Sequence, residues 1–282
     1  MTATDTVTAA GSAPSAIDPI TGVQFFDLSH PWGHDAPLWP YFPDVRIERF
    51  HYHAKSGVLS QQITTFMHCT THSDAPAHVI EGAPFIDEVP LSSYFGTGVV
   101  VSIPKEKWEV ITAEDLENAR PEIRRGDIVI VNTGWHRYWG DSRRYFVESP
   151  GTYDEAGRWL AERGVKGFGI DCQALDHPLG TAIGLQPNGP LIHGIAEEYA
   201  RHTGGRDVRE DFPLWEPCHR HVLGSGAVGF ENVGGQIDAV TGKRVTFAAF
   251  PWRWRGGDGC IVRLVAMLDP SGSFRIETGE SE

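Results

Sequence analysis

Eleven consecutive residues organise this chain, and they read His-Cys-Thr-Thr-His-Ser-Asp-Ala-Pro-Ala-His from His68 to His78. This stretch holds three of the 13 histidines of the chain together with one carboxylate. Such a cluster is costly to bury unless a ligand binds there, because polar and charged groups lose their hydration inside a protein. Neutral imidazole and carboxylate together suit a divalent ion such as zinc or manganese. The stretch therefore predicts a metal site.

The spacing of its polar residues excludes a regular helix or strand. On a helix, His68 and His72 would share a face, but Asp74 would lie about 200° round from His72 at about 100° per residue. On a strand, His68 and His72 would lie about 13 Å apart at about 3.3 Å per residue, too far for two ligands of one ion. We therefore predict a sharp bend, most simply a strand over 62–67 that runs into a turn around Pro76. Bends at the ends of strands often carry active sites.

Size and charge narrow the class of protein. The chain has 282 residues, of which 40% are hydrophobic, enough for one large domain with a sizeable core. Its formal net charge of -13 disfavours nucleic acid and anionic membrane surfaces as partners. No stretch approaches the roughly 20 apolar residues of a membrane span, and the N-terminus lacks a basic start and an apolar run. We expect a cytoplasmic protein with a small-molecule substrate. The four cysteines lie apart without a CxxC pair, so no disulfide scaffold is predicted.

Strands and helices alternate through the middle of the chain. A continuous apolar run at 99–103 predicts a buried central strand. Further strands are predicted at 128–131, 167–170, 227–232, 246–250 and 260–268, and helices at 112 onward, 154–163, 192–199 and 218–224. This alternation indicates an α/β fold.

Three segments depart from that pattern. Residues 1–20 are small and polar with two prolines, the composition of a flexible N-terminal tail. In residues 178–217 the alternation of strands and helices becomes irregular, which predicts a lid or an insertion. The proline-rich stretch 32–43 cannot form a helix, and Trp32, Trp39 and Tyr41 within it would make a rigid apolar wall for a ring-shaped ligand.

The eleven-residue stretch resembles the signature of the metal-dependent cyclase family, which includes bacterial kynurenine formamidase and isatin hydrolase. The family pattern is His-x-Gly-Thr-His-x-Asp-x-Pro-x-His, and the single departure is Thr70 in place of glycine. The threonine adds a side chain beside the ligands, which affects the local backbone conformation and the width of the pocket. All of the metal ligands of the pattern are still present. His219 and Glu231, twelve residues apart, are similar to the His and Glu that complete the family's metal centre.

The resemblance implies a swivelling β/β/α fold, a single α/β domain with a mixed sheet over 21–282. It also implies a hydrolase that opens an amide bond of a small aryl-formamide or cyclic amide through a metal-activated water. By this resemblance, His68, His72 and Asp74 bind one ion, Asp74, His219 and Glu231 hold a second, and His78 is a general base or proton shuttle. Zinc or manganese, one or two ions per chain, and a homodimer or homotetramer are the expected cofactor and assembly.

Several alternatives stay open. The same chemistry would open a lactone or an imide. A non-catalytic small-molecule-binding relative would keep the scaffold, although it would have no use for His78. A purely structural metal would have a closed tetrahedral shell. Phe25, Trp32, Trp39 and Trp135 are candidates to pack against an aryl or cyclic substrate.

Overall fold

A mixed β-sheet runs through the whole fold. Among the residues that the computed structural model describes, 13–40, 42–185 and 192–279, ten strands join this sheet. The strands in chain order are β1 Ala16–Ile17, β2 Gln24–Asp27, β3 Arg46–His51, β4 Ser60–Thr64, β5 His72–Asp74, β6 Phe95–Ser102, β7 Val110–Ile111, β8 Ile128–Asn132, β9 Gly151–Thr152, β10 Gly167–Ile170, β11 Val228–Glu231, β12 Lys243–Ala248, β13 Gly259–Ile261 and β14 Val265–Leu268. Their order across the sheet is β1-β2-β14-β12-β6-β8-β10-β11-β5-β13, while β3 pairs with β4 and β7 with β9 in two small sheets.

The helices are short. They are α1 His53–Ser56, α2 Ala113–Asn118, α3 Ser142–Val147, α4 Asp154–Arg163, α5 Ile195–Thr203, α6 Val208–Asp211, α7 Pro217–Gly224 and α8 Ile237–Val240. The longest, α4, has ten residues, whereas a membrane span needs about 20. Within the described ranges, no helix combines the length and the apolar character needed to cross a bilayer.

The centre of the sheet is parallel and covered on both faces. Strands β6, β8, β10 and β11 run parallel to one another. Val99 and Val101 of β6 pack into a core with Leu160 of α4 and Val222 of α7, while Val100 packs into a second core on the other face. Burial on both faces explains why β6 reads as a continuous apolar run rather than an alternating one. The predicted α/β fold with a mixed sheet is confirmed.

One predicted strand is wrong. Residues 260–268 form two strands, β13 and β14, because the backbone of Val262 and Leu264 leaves the sheet and donates to Thr71 and Ser29 instead. β13 lies at one edge beside β5, whereas β14 lies between β2 and β12 near the opposite edge. Three residues span at most about 11 Å. The sheet must therefore curl until its two ends approach each other, which brings distant segments of the chain together at the ends of the central strands.

The predicted tail and lid are described in part. Two residues of the tail segment, Ala16–Ile17, form the edge strand β1, which pairs with β2. Residues 1–12 lie outside the described residues, so for them the flexible tail stays a prediction. Tyr41, predicted as part of an aromatic wall, also lies outside the described residues. So do 186–191 of the predicted lid or insertion 178–217, whose described part carries α5 and α6.

Candidate metal centre

The stretch from His68 to His78 bends as predicted. His68 lies in a loop, and Thr70 has a φ of 57°, in the left-handed region that favours glycine. Strand β5 follows and carries His72 and Asp74, and a 3₁₀ turn over Pro76–His78 completes the stretch. The strand predicted over 62–67 overlaps β4 Ser60–Thr64, which ends before the bend, and β5 is an additional short strand within the stretch. The left-handed backbone also gives a physical reason for the glycine that is usual at this position.

His68, His72 and Asp74 form a first group of metal donors. The Nδ1 atom of His68 is 2.8 Å from Oδ1 of Asp74, and Nε2 of His72 is 3.3 Å from the same oxygen. One ligand atom from each residue lies within 4.8 Å of the others. β5 buries His72 and Asp74 because β11 and β13 flank it on either side.

Asp74, His219 and Glu231 form a second group that meets the same distance limit. The Nε2 atom of His219 is 2.8 Å from Oε1 of Glu231 and 3.7 Å from Oδ2 of Asp74. β11 pairs antiparallel with β5 so that Glu231 lies opposite His72. Asp74 thus offers one oxygen to each group, and the structure brings all five residues of the implied ligand set together.

Two atoms at the junction of these groups have no hydrogen-bond partner among the described residues. They are Nε2 of His72 and Oδ2 of Asp74, both buried. The Nδ1 atom of His72 is 2.7 Å from the carbonyl oxygen of Thr70, so Nδ1 donates and Nε2 is directed at the carboxylates. A buried carboxylate oxygen without a partner is costly unless a cation balances it. These residues therefore fit a divalent ion held by nitrogen and oxygen.

The metal-free cluster holds protons where a cation would sit. Burial would lower the pKa of His72, but the carboxylates of Asp74 and Glu231, each 3.3 Å from Nε2, raise it to about 10. Burial would likewise lower the pKa of His68, but hydrogen bonds to two carboxylates raise it to about 9. Burial and the charge of Asp74 would raise the pKa of Glu231, but hydrogen bonds from neighbouring imidazoles lower it to about 2. A bound cation would replace these protons.

Asp176, which the sequence did not single out, holds His219. Its Oδ2 atom is 2.6 Å from Nδ1 of His219 and accepts the backbone N–H of the same residue, while Oδ1 accepts the backbone N–H of Cys218. These are N–H groups in the first turn of α7, which have no partner within the helix. The contact fixes the ring so that Nε2 is directed at Glu231. A single Asp in a loop has no spacing signal, so sequence reasoning had no means to find it.

Asp258 is a second residue of the site that the sequence did not single out. Its Oδ2 atom is 2.8 Å from Nε2 of His68 and 3.5 Å from Nδ1 of His78. The rings of His68 and His78 stack with their centroids 4.1 Å apart. Gly259 permits this arrangement, because a Cβ there would lie 2.6 Å from Cε1 of His68. The glycines on both sides of Asp258 were the available signal.

A cavity of about 180 Å³ adjoins the donors. Aromatic side chains form part of its wall, and Trp39 meets Phe146 edge to face at a centroid distance of 6.3 Å. The lining residues are Pro37, Trp39, Phe42, His68, Cys69, Thr70, His78, Phe146, Gln173, Ala174, Ala182, Glu216, His219, Glu231 and Asn232. His68, His78, His219 and Glu231 thus face the space in which a small ligand would sit.

Of the four aromatic residues predicted to contact substrate, only Trp39 lines this cavity. Trp32 lines a separate cavity together with His30 and Trp139. Trp135 is 3% exposed and packs in the hydrophobic core. Phe25 lies in β2 between β1 and β14. The structure therefore does not bring Phe25, Trp32 or Trp135 to the donors.

Three polar residues of the cavity wall were absent from the predicted site. Glu216 begins α7 with a φ of 47°, and burial raises its pKa. Gln173 and Asn232 are 2% and 3% exposed, and each carries buried side-chain atoms without a partner among the described residues. Gln173 and Asn232 follow the ends of β10 and β11, where site residues of α/β sheets often lie. That position was the signal that could have found them.

Comparisons with known proteins agree with this architecture. A family model described as "Putative cyclase" matches residues 26–177. The kynurenine formamidase of Bordetella petrii is 29% identical over 157 residues, which is 54% of this chain and 71% of that protein. An uncharacterized protein of Haemophilus influenzae is 32% identical over 107 residues, 36% of this chain and 75% of that protein.

Among solved structures, isatin hydrolase A from Labrenzia aggregata bound to benzyl benzoate superposes with a TM-score of 0.69. The two proteins are 24% identical, and the match covers 88% of this chain and 94% of that chain. This likeness shows the fold that the resemblance implied. Because the family model spans more than half of the 282 residues, the chain belongs to the cyclase family.

Proposed function

We propose that this protein is a metal-dependent amidohydrolase that opens a C–N bond, other than a peptide bond, in a small aryl-formamide or cyclic amide. The observation that carries this proposal is a pair of donor groups that share Asp74 and border a cavity with aromatic walls. The names of its relatives, kynurenine formamidase and isatin hydrolase, support the same class of reaction.

The proposed cofactor is zinc or manganese, since imidazole nitrogen and carboxylate oxygen suit both ions. His68, His72 and Asp74 would hold one ion, and Asp74, His219 and Glu231 would hold a second. A divalent ion in such a site activates water at neutral pH and polarises a carbonyl group. The shared Asp74 supports two ions per chain, and the first group alone would support one.

We assign proton transfer to His78. Its side chain is 30% exposed, lines the cavity and stacks on the ring of His68. Asp258 lies 3.5 Å from Nδ1 and so orients the ring. The Nε2 atom would accept a proton as water adds to the carbonyl and deliver it to the leaving nitrogen. This delivery matters because an unprotonated amide nitrogen is a poor leaving group.

The cavity wall favours a flat, apolar substrate. Trp39, Phe42 and Phe146 present aromatic surface to the space beside the donors. Aromatic side chains pack on rings in stacked or edge-to-face geometry, and such pockets commonly combine an apolar wall with a few polar groups. A volume of about 180 Å³ supports a small molecule. The cytoplasmic location and the homodimer or homotetramer stay predictions from the sequence.

The proposal is tested with metal-free protein that is reloaded with zinc or manganese. We expect the loaded protein to hydrolyse N-formylkynurenine or isatin, to lose this activity with a chelator and to regain it on reloading. His78→Gln is expected to keep its metal and to lose about 10²–10⁴-fold in kcat. His221→Gln, on the same helix as His219 but engaged with Asp154, is the matched control.

Three outcomes would reject the proposal. Loaded wild-type protein that binds both amides without turnover would be a binding protein. Loaded protein that opens only a lactone, supplied as dihydrocoumarin, would be an esterase of the same fold. Turnover that is unaffected by the chelator would exclude the metal centre as its source.

A further inference from the structure

Gln173 lies in the cavity wall with an unused hydrogen-bonding group. Its side chain is 2% exposed, yet neither Oε1 nor Nε2 has a hydrogen-bond partner among the described residues. Most buried side-chain amides are paired, because an unpaired donor or acceptor loses its hydration without compensation. Since Gln173 lines the cavity beside the donors, a ligand bound in that cavity is the candidate partner.

The backbone around Gln173 is tied to the metal centre. The backbone N–H of Asn232 donates to the carbonyl oxygen of Cys172 at 2.9 Å. The backbone N–H of Leu175 donates to Oε1 of Glu231 at 2.7 Å. These bonds bracket Gln173 and join it to the end of β11, which carries the ligand Glu231. The backbone at Gln173 is therefore fixed relative to the donors, as a residue that orients a substrate requires.

A carboxamide presents one donor and one acceptor side by side. It can pair through two hydrogen bonds with a molecule whose N–H and C=O lie on the same edge. Ring amides and ring imides have this cis arrangement, because the ring forces it. Open-chain secondary amides prefer the trans form, in which N–H and C=O are directed to opposite sides. A ligand satisfies both unpaired atoms of Gln173 only if it offers both groups.

We propose that Gln173 is a specificity-determining residue, which selects ring amides with a free N–H over N-substituted ring amides and over open-chain trans amides. This inference rests on the proposed amidohydrolase function, and it names the substrate class within it. The amide oxygen of Gln173 accepts the ring N–H, and its NH₂ group donates to the adjacent carbonyl. The assignment of O and N within the side chain does not matter, because both atoms lack partners.

The test compares isatin with N-methylisatin, which differ in the N–H that Gln173 would recognise. Gln173→Met keeps the length of the side chain and removes both hydrogen-bonding atoms. We expect the ratio of kcat/KM for isatin over N-methylisatin to fall at least tenfold in Gln173→Met relative to wild type. Gln62→Leu, on the exposed face of β4, is the matched control and should keep the wild-type ratio.

A second variant guards against misfolding. Gln173→Glu keeps an acceptor for the ring N–H and loses the donor, so its ratio should stay closer to wild type than that of Gln173→Met. A ratio in both variants within twofold of wild type, in protein with normal metal content, would overturn the inference while leaving amide hydrolysis intact.

Failure of the proposed function is recognised separately. If loaded wild-type protein hydrolyses neither compound nor N-formylkynurenine, the amidohydrolase proposal fails, and the test moves to equilibrium binding of the same two compounds by calorimetry. Hydrolysis of N-formylkynurenine alone would leave amide hydrolysis intact and overturn the selection of ring amides. Tighter binding of isatin than of N-methylisatin, with the difference lost in Gln173→Met, would still support recognition of the ring N–H. Equal affinities in wild type and Gln173→Met would reject it.

Discussion

Glu231 lies directly opposite His72 in the antiparallel pair of β11 and β5, and its Oε2 atom is 3.3 Å from Nε2 of His72. This pair joins the histidine-rich stretch to a strand from the last quarter of the chain. Side chains alternate between the two faces of a strand, so a slip of one residue would turn Glu231 away from the donors. The candidate metal centre therefore depends on strand register as much as on the residues themselves.

Asp176 is expected to act on metal binding through His219. Asp176→Asn removes the carboxylate that lies 2.6 Å from Nδ1 of His219, and loss of such a partner typically costs about 10–100-fold in metal affinity. Competition with a chromogenic chelator measures this loss. Asp154→Asn is the matched control, because Asp154 contacts His221 of the same helix at 2.8 Å. Equal effects of the two substitutions would contradict the role of Asp176.

Metal affinity is expected to rise with pH between 6 and 9. The pKa values of His68 and His72 are raised to about 9 and about 10 in the metal-free protein, so both rings hold a proton at neutral pH. Ligation requires neutral imidazole, and binding must therefore release protons. Calorimetric titrations in buffers of different ionisation enthalpy measure that release. An affinity that stays flat or falls over this range would oppose the assignment of these rings as ligands.

Thr70→Gly is expected to leave stability unchanged or to raise it by up to about 1 kcal/mol. The left-handed backbone at Thr70 is strained for a branched side chain, and glycine removes this strain. The gain exceeds or offsets the greater conformational freedom of glycine in the unfolded chain. Thr71→Gly is the control and should lower the free energy of unfolding by about 1 kcal/mol or more. Its hydroxyl donates to the carbonyl oxygen of Asn232 at 2.6 Å. Urea unfolding measures the free energy of unfolding of both variants. A larger loss of stability in Thr70→Gly than in Thr71→Gly would contradict the left-handed strain inferred at Thr70.

Asp258→Asn is expected to lower kcat about tenfold or more while the group formed by Asp74, His219 and Glu231 keeps its metal. The reason is that Asp258 orients His78, from whose Nδ1 it lies 3.5 Å. Asp87→Asn is the control, because Asp87 accepts the backbone N–H of Gly256 in the same loop without touching an imidazole. Turnover and metal content are measured on the same samples. Unchanged turnover in Asp258→Asn would show that Asp258 does not orient His78 for catalysis.

Local signals made several elements predictable. The helix α4 spans Asp154–Arg163 as predicted, and α7 begins at Pro217, one residue before its predicted start. The bend at His68 to His78 followed from spacing alone, because neither a helix nor a strand could gather its polar residues. In each case the deciding interaction lies within a few residues along the chain.

The remainder depends on contacts between distant segments. Asp176 and Asp258 lie in loops and reach His219 and His68 only through tertiary packing, and neither belongs to a spaced motif. Trp135 looked suited to a ligand because it follows β8, yet it is buried in the core. The sequence shows that a large aromatic side chain such as Trp135 will be buried. Whether it faces the core or the cavity depends on tertiary packing.

The most direct test of the metal centre is elemental analysis of wild type, His72→Ala and Glu231→Gln after equilibration with zinc or manganese and removal of free ion. The account predicts one or two ions per chain in wild type, loss of metal in His72→Ala, and reduced metal in Glu231→Gln. Wild-type protein that takes up no ion, or a His72→Ala variant that binds as much metal as wild type, would contradict it.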